Sequence, residues 1–139
     1  MGMNSRNNPV WLSVIFLSIV LFFLSCASTL SFDERFAREV KRMEKDYINY
    51  EEDGIKCVDF SVEGKVITIK YVTLNYSADQ INPVAFANAF KEYTLSHACR
   101  DRDIRYLLKN GVAFKYQYFS NDQIHFNETV MDRILCGYE

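Results

Sequence analysis

Proline and glycine are scarce, with two and five residues among 139, and no tract is dominated by a few residue types. The chain is 49% hydrophobic and 15% aromatic. That excludes a disordered chain, which lacks the apolar surface to offset its conformational entropy. No long run of one charge sign stands out either. Sixteen basic residues against eighteen acidic ones give a net charge of −2 and a pI near 5.7. A nucleic-acid binder needs a basic footprint to neutralise phosphates, so that class is excluded. No internal repeat is visible.

Chemical motifs are missing as well. There is no Gly-rich phosphate loop and no Gly-x-Ser-x-Gly elbow. His97 and Cys99 form a lone His-x-Cys. A structural zinc site takes four ligands, and no second pair stands at suitable spacing. His125, in a short strand-like stretch, reads as a surface residue. A Cys–His nucleophile pair would have to meet in space, and a disulfide at Cys99 would remove that thiol. Asp101, Arg102, Asp103 and Arg105 cluster at a helix start, where capping and exposed ion pairs account for them. A ligand site there is the sharper alternative. The expectation is a non-enzyme with no cofactor and no metal.

What the sequence has is a leader. Met1 to Asn8 is polar with one cation, Arg6. An uncharged run from Val10 to Leu24 follows Pro9, and small residues Ser25, Ala27, Ser28 and Thr29 surround Cys26. Basic start, apolar middle and small-residue exit are the signal-peptide pattern. The run is short for a membrane span, which needs about 20 residues. It also lacks the polar face of a core helix. The stretch Leu21 to Cys26 resembles a bacterial lipobox, with Ser25 in the place before the cysteine and imperfect matches at Phe23 and Leu24. The resemblance implies lipidation at Cys26. With Ala27 next, it further implies the outer membrane of a Gram-negative bacterium, facing the periplasm. Cleavage near Ala27 or Ser28, or an uncleaved anchor running to Leu30, are the alternatives. The domain expectation is therefore a leader over 1–26 and one extracytoplasmic domain over 27–139. The sequons at Asn75 and Asn127 carry little weight beside a bacterial-style leader.

Within that domain, Ser31-Phe-Asp-Glu34 fits a capping box. Phe32, Phe36, Val40, Met43, Tyr47 and Tyr50 then recur at helical spacing, which predicts an amphipathic helix ending near 51–54. The stretches 55–63 and 66–76 are β-branched and aromatic, joined by Glu63-Gly64-Lys65, and predict a hairpin. Strict alternation puts Val58, Phe60, Ile67, Ile69 and Tyr71 on one face and Cys57, Asp59, Thr68 and Lys70 on the other. Asn82-Pro83 starts a helix with Phe86, Phe90, Tyr93 and His97 on one side. A short helix runs from Asp101 to Lys109, stopped at Gly111. Residues 112–119 alternate as a strand, with Val112, Phe114, Tyr116 and Tyr118 on one face. Ser120–Gln123 turns the chain into a brief strand at 124–126. Asn127 is expected to cap a final helix carrying Val130, Met131, Ile134 and Leu135. The segregated order predicts an α+β fold, a three- to four-stranded antiparallel sheet with about three helices after the apolar leader helix.

With Cys26 given to the anchor, Cys57, Cys99 and Cys136 remain, and three bridges are possible. An oxidising compartment favours a disulfide. Cys99 and Cys136, both expected at helix C-termini flanking the last hairpin, are the favoured pair. Cys57 then reads as an apolar filler on the second sheet face, or as an intermolecular bridge.

Cys99, Arg105 with Leu108, Gly111, Tyr116-x-Tyr118, Ile124 and Cys136 together resemble the quorum-sensing-regulated virulence factor family over about residues 85–136. That resemblance implies a fold like the C-terminal domain of TolA and a periplasmic protein-interaction module. The leading functional expectation is a cell-envelope lipoprotein that binds another envelope protein as a secretion or pilus accessory. An inhibitor or exclusion lipoprotein acting through the loop Ser120–Gln123 is the second. An enzyme or small-ligand binder is the third, and it requires a pocket near His97 or the tyrosines of 112–119.

Overall fold

The computed structural model describes residues 30–138. The leader over 1–26 and its lipidation site Cys26 lie outside the described residues. Asp33 onward forms one compact unit.

Helix α1 (Phe32–Ile48) begins directly after Ser31. Its apolar stripe works as the spacing predicts: Met43 is buried, and Tyr47 stacks on Phe60 at 6.1 Å between ring centroids. The helix does not run on to residue 51. Instead β1 (Glu51–Glu52) turns through Asp53-Gly54 into β2 (Ile55–Glu63). Asp53 and Gly54 have φ of 52° and 76°. A two-residue type I′ turn needs positive φ at both positions, and Asp-Gly is a preferred pair for it. A Cβ at Gly54 would also lie 2.4 Å from the end of the Asn75 side chain, which would have to shift.

Strand β3 (Val66–Thr73) pairs antiparallel with β2 across Gly64-Lys65, from Glu63↔Val66 to Asp59↔Lys70, in the register expected. Beyond Asp59 the expectation fails. Cys57 pairs with Tyr71, so Val58 is an extra residue, a β-bulge. A bulge inserts one residue and reverses the alternation that follows. Cys57 is therefore on the core face, 2% exposed, while Val58 points outward at 53%.

Helices α2 (Pro83–Ser96) and α3 (Arg102–Lys109) follow. The Asn82 carboxamide accepts from the backbone N–H of Val84 and Ala85, as its position before Pro83 predicts. Asp101 caps α3 in the same way through Asp103 and Ile104, at 2.9 Å each. Strand β4 (Ala113–Phe119) then lies parallel to β3, with Val66 opposite Ala113. The two helices carry the chain back to the end where β3 began, which is the crossover a parallel pair requires. An all-antiparallel sheet was expected, so this pair is a difference.

The final helix is not present. β5 (His125–Met131) occupies its first half, pairing antiparallel with β4 from Phe114↔Met131 to Tyr118↔Asn127. Thr129 and Val130 are β-branched and suit a strand, and the ladder covers an edge of β4 that would otherwise be bare. Asn127 donates to the Thr129 hydroxyl at 3.2 Å rather than capping a helix. Ile134 and Leu135 fall in a turn, where the Leu135 N–H donates to the Asp132 carboxylate.

The α+β class expected from the order of elements is the class observed. The sheet has five strands in sequence order, β1-β2-β3-β4-β5. One face holds Cys57, Ile67, Ile69, Tyr71, Phe114, Tyr116, Tyr118 and Met131, all buried. The opposite face mixes exposed valines, Val58, Val66 and Val130, with cross-strand ion pairs, Lys70 to Asp59 at 2.9 Å and Lys115 to Glu128 at 3.3 Å. Such exposed pairs contribute about 0–1 kcal/mol each, so the buried face carries the stability.

Candidate functional site

An aromatic groove lies over the buried face, enclosing about 630 Å³. Its floor is Tyr71, Tyr116 and Tyr118, from the parallel pair β3 and β4. The register sets Tyr71 opposite Tyr118, and their rings stack at 5.2 Å. Phe86 and Phe90 of α2 form one wall. Phe86 meets Tyr118 edge-on at 4.7 Å, and Phe90 meets Tyr116 at 5.1 Å. Helical spacing continues that wall through Tyr93 to His97, whose rings stack at 4.6 Å. Tyr47, Tyr50 and Ile55 form the other wall, with Tyr50 edge-on to Tyr71 at 6.2 Å. Ala98, Asp101 and Ile104 border it from the α2–α3 side.

The rings differ in exposure. Tyr71, Tyr116 and Tyr118 are at most 6% exposed, whereas Tyr93 is 60% exposed and Tyr50 39%. Burial pushes the phenols of Tyr71, Tyr116 and Tyr118 above their ordinary value, and neighbouring tyrosines add to the shift. Burial also raises Tyr47, which shares a hydrogen bond with Tyr116. These phenols stay neutral, so the floor offers apolar rings and hydroxyl groups without charge.

His97 caps the C-terminus of α2, and its Nδ1 lies 2.7 Å from the Ser96 hydroxyl and 3.3 Å from the Tyr93 carbonyl. Among the described residues no group of three or more His, Cys, Asp or Glu side chains is placed to hold a metal. His125 is exposed on β5, beside Phe119. The charged cluster at the start of α3 serves structure through two of its members. Asp101 is the cap, and Asp103 meets Arg42 of α1 at 3.4 Å and Arg35 at 3.8 Å. Arg35 also lies 3.8 Å over the ring of Tyr106. The cluster thus ties α1 to α3.

A disulfide joins Cys99 to Cys136, with Cα atoms 5.4 Å apart. Neither cysteine ends an α-helix. Cys99 is in the 3-10 turn Ala98–Arg100 and Cys136 in the turn after β5. Cys57 is the free thiol among the described residues, buried on the groove side of the sheet and raised in pKa mainly by that burial.

Sequence reasoning placed the third functional expectation, a pocket near His97 and the tyrosines of β4, where the groove lies. It missed Tyr50, Asp53 and Ile55 as its other wall. The Asp-Gly dipeptide at 53–54 was the available signal.

No protein-family model and no curated protein matches the sequence. Three solved structures share the fold. The type 2 secretion system pilotin EpsS of Vibrio vulnificus superposes with a TM-score of 0.57 at 13% identity, over 71% of this chain and 86% of that one. The type II secretion system pilotin AspS of Vibrio cholerae gives 0.53 at 15%, with the same two coverages. A candidate secreted protein of Pseudomonas aeruginosa gives 0.55 at 14%, over 77% of this chain and 98% of that one. These neighbours share the fold of a small exported protein, and nothing in them supports the virulence-factor family or the TolA-like fold suggested by the cysteine and tyrosine spacing.

Proposed function

We propose that this chain is a cell-envelope lipoprotein, exported by its leader and anchored at Cys26, that serves as a non-catalytic accessory of a secretion system. Its partner is another envelope protein, held in the aromatic groove. The observation that carries this reading is the groove itself, an open cleft with a fixed floor of buried rings and exposed rings at Tyr50 and Tyr93. Apolar clefts of this kind receive apolar side chains of a partner segment. The pilotin fold likeness supports the secretion setting.

A small-ligand binder is the second reading, because about 630 Å³ falls within the range of ligand pockets. One experiment separates them. A photocrosslinking amino acid replaces Tyr93 in the full chain, and intact cells are irradiated. The expected product is a discrete adduct with one envelope protein. Irradiation that yields no protein adduct overturns the accessory reading. Intact mass spectrometry of the chain recovered from membranes tests the anchor, with an acylated Cys26 as the new N-terminus expected.

A further inference from the structure

The groove is asymmetric in charge. Asp53, Asp101 and His97 line it, and among the described residues neither lysine nor arginine does. Asp53 follows Glu51 and Glu52, and Glu52 accepts from the Tyr50 hydroxyl at 2.8 Å, so the acidic turn is continuous with the aromatic wall. Tyrosine ring faces also attract cations. Carboxylates at the rim and ring faces within make one recognition surface for positive charge, and the same surface repels anionic lipid headgroups.

Resting on the groove being the partner site proposed above, we infer that its occupant is a cationic amphipathic segment. Apolar side chains of that segment seat against Phe86, Phe90 and the tyrosine floor, and its lysines or arginines meet Asp53 and Asp101.

Both carboxylates admit a substitution that removes charge and little else. Asp53 has φ of 52°, a region that Asn also tolerates. Asp101 caps α3 through one oxygen, and Asn keeps a cap acceptor there. The Tyr93 adduct is digested, and the crosslinked partner segment is sequenced and synthesised. Its affinity for the full chain is then compared with that for Asp53→Asn/Asp101→Asn. The expected segment carries Lys or Arg beside apolar residues. Its binding is expected to fall about three- to tenfold in the double variant at low salt, the size of two exposed charge pairs, and to lose that difference at high salt. A neutral or acidic segment, an adduct with lipid, or equal affinity for both proteins overturns the inference. A protein adduct with unchanged affinity leaves the groove as the partner site and removes only the charge complementarity. Failure to form any adduct removes both.

Discussion

The tyrosines of the groove floor show how one side chain serves two ends. Tyr71, Tyr116 and Tyr118 supply core packing from below and a binding surface above, because the β3–β4 register sets them side by side. Their burial has a consequence for pH. Unfolded tyrosines ionise near pH 10, while burial holds these three above that value in the folded chain. Above pH 10 the native state therefore keeps protons that the unfolded chain releases. This contribution to stability is complete below about pH 10 and is lost as the pH rises beyond it. An alkaline titration followed at 295 nm is expected to show a delayed set of tyrosinates that appears together with loss of far-UV ellipticity. Reversible ionisation of all nine tyrosines near pH 10 with the fold intact would contradict this.

At the scale of the element, strand β2 turns on one residue. Val58 is the bulge, so Cys57 and Asp59 pair with consecutive residues of β3, Tyr71 and Lys70. Without Val58, Cys57 and Asp59 would alternate regularly and keep those partners. Deleting Val58 is thus expected to change stability by about 1 kcal/mol or less, with Cys57 still unreactive toward a thiol reagent. Deleting Ser61, a regular ladder residue opposite Thr68, reverses every residue before it. That variant is expected to lose about 2–5 kcal/mol, the scale of core loss, and to expose Cys57. Reagent kinetics with and without urea read both outcomes. The same residue marks the limit of sequence reading. Apolar alternation through Val58, Phe60 and Val62 pointed Val58 inward, and nothing local announces a bulge, whose position is settled by the partner strand. Caps at Asn82 and Asp101 and the alternation of β4 were legible because their causes are local. The last element was not, because helix and strand patterns are ambiguous over Val130 and Met131 and only pairing with β4 decides. The groove's α2 wall could be read from helical spacing. Its other wall required knowing that the chain turns back at Asp53-Gly54 so that β1 pairs with β2.

At the scale of the whole molecule, the helices pack on one face of the sheet, and the other face is largely exposed, with Val72 buried near one end. A single small core of this kind gives a narrow margin of stability. The Cys99–Cys136 bridge adds to it by closing a 37-residue separation that contains α3 and the last hairpin. In the chain-entropy model a loop of that length contributes about 3–4 kcal/mol. It also secures the turn that leads into Asp101, at the border of the groove, to the segment after β5. The double variant Cys99→Ser/Cys136→Ser is expected to lose that amount in urea unfolding, with the midpoint falling and the slope little changed. The wild type in reductant should match it. If the oxidised protein and the double variant unfold at the same urea concentration, the bridge adds no stability. Disulfides form and persist chiefly in oxidising compartments, so a measured contribution of this size would support the export proposed for the chain.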